Sequence, residues 1–99
     1  MRILLVDDEE SFLEMTKFFL ERERGCTVET ATSTKDALDK LSSGEYEAIV
    51  ADYQIPDMDG LDLLKIVRAE GRDVTFILLT GKGREDVASQ ALNSGAAFY

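Results

Sequence analysis

Short unbroken runs of Ile, Val and Leu alternate along this chain with longer stretches whose apolar residues recur at helical spacing, and that alternation narrows the available folds more than any other feature. The runs are Ile3 to Val6, Ala48 to Ala51 and Val74 to Leu79. A strand that is apolar on both sides needs cover on both faces, which is the condition of a parallel sheet packed between helices. Thr27-Val28-Glu29-Thr30-Ala31 differs, because it mixes polar and apolar residues as an edge strand with one flank near solvent does. Ala96-Ala97-Phe98-Tyr99 reads as the opening of one more strand. Repeated βα units of this kind predict a doubly wound α/β fold.

The spacing predicts helices over 10–22, 34–42, 59–69 and 84–93. In the first, Phe12, Met15 and Phe19 recur at i, i+3 and i+7, and Leu13, Phe18 and Leu20 widen the face expected to be buried. Ser33-Thr34-Lys35-Asp36 resembles a capping box ahead of Ala37, Leu38 and Leu41, and Gly44 ends that helix. The third carries Leu61, Leu63, Leu64, Ile66 and Val67 and stops at Gly71. The fourth groups Val87, Ala88, Ala91 and Leu92, with Gly95 closing it. One domain over residues 1–99 accounts for all of these segments, since a chain of 99 residues sustains one hydrophobic core.

Charge bears on partners. Eleven Lys and Arg against 20 Asp and Glu leave a net charge of −9, which argues against direct binding of nucleic acid and favours cations and basic partner surfaces. The lone Cys26 offers no intramolecular disulfide, and the chain has no His with which to build a zinc site. The apolar run that ends at Val6 is too short for a signal-peptide core or a membrane span, so the expected compartment is the cytoplasm and no membrane partner is expected.

In an open parallel sheet the ligand crevice lies beyond the carboxyl ends of the strands, where strand order reverses. Asp7, Asp8, Glu9 and Glu10 follow the first run, Asp52 follows the third strand, and Thr80-Gly81-Lys82-Gly83 follows the fourth. Taken singly, the acidic residues read as helix N-caps and Thr80 as a turn residue. Together, Asp7, Asp8 and Asp52 form a carboxylate cluster whose mutual repulsion a divalent cation relieves. Oxygen-only donors point to magnesium, and the sequence has no EF-hand spacing for calcium. Beside such an ion an Asp carboxylate is able to attack phosphorus, and Asp52 is the candidate nucleophile because a buried strand aims it. Thr80 would supply a hydroxyl to the phosphoryl oxygens.

Val6-Asp7-Asp8-Glu9, the segment from Ala51-Asp52 through Ile55-Pro56 to Asp59-Gly60, Leu79-Thr80-Gly81 and Gly95-Ala96 resemble, in order, the successive signatures of response-regulator receiver domains. The resemblance implies a flavodoxin-like, five-stranded parallel sheet in the order 2-1-3-4-5. It also implies a phosphoaccepting switch rather than an enzyme, supplied by a sensor histidine kinase or phosphotransfer protein and read by a downstream target. Carried over by position, Asp52 is the phosphoacceptor, Asp8, Asp52 and the Gln54 backbone carbonyl hold Mg2+, Asp7 assists through water, Thr80 is the switch hydroxyl and Tyr99 the switch aromatic. The family pattern continues past the fifth strand with a lysine and a fifth helix that shares a sheet face with the first. This sequence stops inside that strand, and a face left uncovered there is expected to favour a homodimer, strand exchange or aggregation.

Overall fold

A computed structural model describes residues 1–79, 85–93, 95 and 97–98. The elements alternate as the sequence predicts: β1 (Arg2–Val6), α1 (Glu10–Arg24), β2 (Thr27–Ala31), α2 (Thr34–Ser43), β3 (Ala48–Asp52), α3 (Gly60–Ala69), β4 (Thr75–Leu79), α4 (Glu85–Asn93) and β5 (Ala97–Phe98). All neighbouring strands pair in parallel, in the order β2-β1-β3-β4-β5. The chain therefore runs one way from β1 to β2 and the other way from β3 onward, and the reversal falls between β1 and β3.

Alternate residues of each strand serve opposite faces. Leu4, Val6, Ile49, Ala51, Phe76 and Leu78 meet residues of α2, α3 and α4 in the larger core. Ile3, Leu5, Val28 and Ala48 meet Leu13 of α1 in a smaller one on the other face. Leu4, Ile49, Leu63, Leu64 and Leu78 have no exposed surface, so truncating any one of them to alanine costs about 2–5 kcal/mol.

Helix ends follow local chemistry. Gly25 stops α1 with φ 67°, and Gly71 and Gly95 adopt φ 79° and 82° after α3 and α4, a left-handed region where a side chain is strained. At the start of α2, Ser33 accepts the Asp36 N–H at 3.1 Å, while the Asp36 carboxylate accepts from Thr32 N rather than closing a reciprocal box on Ser33.

The edge strand β2 is covered by side chains. Lys17 donates to the Val28 carbonyl at 2.6 Å, Glu21 accepts the Val28 N–H at 3.1 Å, and Lys40 donates to the Thr30 carbonyl. These groups would otherwise offer a pairing edge to another strand.

Only part of the expected α1 face meets the sheet. Leu13 is buried and Leu20 packs beside it, whereas Met15, Phe18 and Phe19 are 66%, 62% and 53% exposed. The helix carries more apolar residues than one contact face holds, and the Leu13–Leu20 row, seven apart, packs against residues of β1, β2 and β3. Leu92 of α4, expected among the buried residues, is also exposed.

Candidate functional site

The register of the sheet brings the acidic residues together. Val6 pairs with Ala51 across the β1–β3 reversal, so Asp7, the next residue of the first strand, comes abreast of Asp52 at the end of β3. The Asp7 N–H donates to the Ala31 carbonyl at 3.0 Å, which extends the β1–β2 ladder by one residue and leaves the carboxylate, only 8% exposed, at the mouth of the crevice. One oxygen of that carboxylate accepts the Glu9 N–H at 3.0 Å and turns the chain into α1, leaving Asp8 exposed between them. Asp52 is half-buried, and the next residue is held by a 2.9 Å bond from Tyr53 N to the Leu79 carbonyl. Asp7, Asp8 and Asp52 each present an oxygen within 4.8 Å of the other two.

Electrostatics follow from this crowding. Burial lifts the Asp52 carboxyl above the usual carboxylate range, the Asp7 charge adds to the lift and Asp8 contributes less; the Gln54 and Tyr53 backbone N–H groups pull the other way. A group that resists carrying its charge beside two other acids is relieved by a cation. Three oxygen donors facing partly open solvent fit a small hard dication that keeps several waters, and magnesium answers that description.

Asp8, Tyr53, Gln54, Ile55, Pro56 and Asp59 line an open cleft of about 480 Å3 beside the cluster. Gln54 lines this cleft on the loop that leaves Asp52. Thr80 and Tyr99 lie outside the described residues.

Two features escaped sequence reasoning. Gly60, which opens α3, donates its N–H to the Tyr53 carbonyl at 2.8 Å and lies against the Asp52 backbone. Asp57, which sequence alone reads as a turn residue, sends both carboxylate oxygens to the first turn of α2, accepting from Thr34 N and Lys35 N at 3.0 Å each. Glycine at a helix entry carries a weak signal of close approach. Asp57 carries none, because its partners are 22 and 23 residues away.

Known proteins resemble the chain over nearly all its length. The family described as response regulator receiver domain matches residues 3–99. The response regulator SaeR of Staphylococcus aureus (strain USA300) is 35% identical over 97 residues, which cover 98% of this chain and 42% of that protein. The chain thus spans less than half the length of the curated relatives it matches. Among solved structures, a response regulator receiver domain protein from Clostridium thermocellum superposes with a TM-score of 0.90 at 32% identity, covering 99% of this chain and 79% of that one. The response regulator TrrA from Thermotoga maritima, in complex with Mg2+–BeF, superposes with a TM-score of 0.84 at 31% identity, covering 98% and 84%.

Proposed function

This chain belongs to the response regulator receiver domain family, and from that premise we propose that Asp52 accepts a phosphoryl group in a magnesium-dependent reaction and that the change is passed on as a signal. The observation that carries the proposal is the convergence of Asp7, Asp8 and Asp52, from the ends of two adjacent strands, to within 4.8 Å of one another.

In this reading Asp8, Asp52 and the backbone carbonyl of Gln54 hold the ion, and Asp7 acts through water. The metal supplies charge neutralisation at the carboxylates and the transferring phosphoryl group. An Asp52 carboxylate oxygen forms the new bond to phosphorus as the bond from phosphorus to the donor breaks, and the electron pair of that bond leaves with the donor. A phosphohistidine on a sensor kinase or phosphotransfer protein fits as donor, its ring nitrogen keeping the pair. Half-burial of Asp52 makes the carboxylate less hydrated and better placed to attack. Thr80 is the hydroxyl that would bond the transferred group, and Tyr99 the aromatic that would respond.

The domain in this reading is a regulatory phosphoacceptor that acts only on its own phosphorylation state. The cytoplasm, where such kinases present their phosphohistidines, is its proposed compartment; among the described residues no helix is long and apolar enough to cross a membrane. The test supplies Mg2+ and acetyl phosphate and follows intact mass. A single added phosphoryl group, missing in Asp52→Asn, is the expected result, and an unmodified wild type overturns the proposal.

A further inference from the structure

We propose that Asp57 is a positioning residue: by tying the loop after β3 to the first turn of α2, it sets where the Gln54 carbonyl stands in the cation site. This rests on the magnesium reading above and adds to it a residue that would touch neither metal nor phosphoryl group.

The first turn of a helix leaves backbone N–H groups without intrahelical partners. In α2 the helix's own cap, Ser33, takes the Asp36 N–H, and the Ala37 N–H reaches the Ser33 carbonyl at 3.0 Å. The two remaining amides, of Thr34 and Lys35, both go to Asp57. The Thr34 hydroxyl, on a residue only 1% exposed, returns a bond to the Met58 carbonyl at 2.9 Å. Three hydrogen bonds therefore join residues 57–58 to residues 34–35. Two of them are charge-assisted and lie at the positive end of the helix, where a carboxylate is favoured. The same bonds hold the Asp57 carboxyl below the usual carboxylate range.

What this tether controls follows from how the loop is otherwise held. Its ends are fixed by Tyr53 N to the Leu79 carbonyl at 2.9 Å and Gly60 N to the Tyr53 carbonyl at 2.8 Å. Among the described residues no backbone–backbone hydrogen bond falls within 54–58. The position of that stretch rests on the Gln54 N–H facing the Asp52 carboxylate, on the buried side chain of Ile55 and on the ties at 57 and 58. Gln54 is two residues from Asp52 and three from Asp57, so slack at 57 reaches its carbonyl directly. Asp is needed because both oxygens accept; Asn retains one acceptor and turns an N–H against a second donor, and Ala retains none.

The test compares wild type, Asp57→Asn, Asp57→Ala and Thr34→Val, the last loosening the tether from the other side. In metal-free protein, amide hydrogen exchange across 53–58 should quicken in the order wild type, Asn, Ala. In Mg2+ titrations followed by amide NMR, the dissociation constant should rise on the order of tenfold in Asp57→Ala, the range seen when an outer-shell partner is lost, and in the same direction in Thr34→Val. Phosphorylation by acetyl phosphate should recover at saturating Mg2+, so the apparent KM for the metal moves and kcat does not. Folded variants with wild-type Mg2+ affinity and unchanged loop exchange overturn the inference, as does a kcat loss that saturating metal fails to restore. If Asp57→Ala does not fold, the Asn and Val variants decide the question by the same readouts. A wild type that takes up no Mg2+ instead contradicts the parent reading, and the exchange data then decide the tether alone.

Discussion

Gly60 and Asp52 are in backbone contact: a Cβ placed on residue 60 would fall 2.7 Å from Leu78 Cδ1 and closer still to the Asp52 carbonyl oxygen. Neither obstacle is a flexible side-chain end that swings away freely, because Leu78 is fully buried and Asp52 is in the sheet. Gly60→Ala should therefore shift the entry of α3 against β3 and cost about 1–3 kcal/mol, the range for overpacking a tight interior. Urea denaturation measures the cost, and the rate of labelling by acetyl phosphate should fall along with it because the displaced strand end carries Asp52.

Removing the Asp52 charge relieves the repulsion described above. Asp52→Asn should raise the melting temperature in metal-free buffer by a few degrees, and Mg2+, which should raise that of wild type, should leave the variant almost unmoved. Calorimetry with and without Mg2+ measures both, and a variant less stable than wild type in metal-free buffer would contradict the repulsion argument.

Acid should weaken the tether between Asp57 and α2. The carboxyl is depressed in the folded protein by hydrogen bonds from Thr34 N and Lys35 N. A group of this kind contributes stability that is fully present above its unfolded value, about 3.9 for Asp, and that is lost as pH falls through the lower folded value. The unfolding midpoint should drop over that acid window in wild type and drop less steeply in Asp57→Asn, which has no proton to gain.

Lys17→Ala should cost about 1 kcal/mol for the lost bond to the Val28 carbonyl. It also uncovers part of the β2 edge, so light scattering at high protein concentration should increase. An edge that stays soluble would show that Glu21 and Lys40 suffice to guard it.

The exposed face of α1 gives the opposite expectation. Arg22 stacks over the Phe18 ring at 5.7 Å, and Phe18 and Phe19 are otherwise open to solvent. Replacing both with Ser should change monomer stability by no more than about 0.5 kcal/mol each and should reduce self-association in sedimentation velocity.

The strands were legible because Ile3–Val6 and Ala48–Ala51 are short, apolar without interruption and bounded by polar residues, a pattern that suits a sheet covered on both sides. The acidic cluster was legible for a related reason: once strand ends are known, a parallel sheet leaves little freedom in where the residues there go, and Asp7 follows the last residue of β1 while Asp52 is the last residue of β3. The contact face of α1 was not legible, since its apolar residues fill two stripes and the choice between Leu13–Leu20 and Met15–Phe19 belongs to packing. Gly60 was visible as a motif glycine but not as a neighbour of Asp52, and Asp57 passed for a turn residue because Thr34 and Lys35 meet it only in the folded chain. The roles read for Thr80 and Tyr99 stay with the proposal, outside the described residues.

The central claim is that carboxylates from the ends of β1 and β3 share one divalent ion, with Asp52 left able to attack phosphorus. Its most direct measurement is calorimetric titration of Mg2+ into wild type, Asp8→Asn and Asp52→Asn. One ion per wild-type chain, with affinity weakened by at least about tenfold in each variant, is the predicted result. Equal affinity in all three proteins would contradict the account.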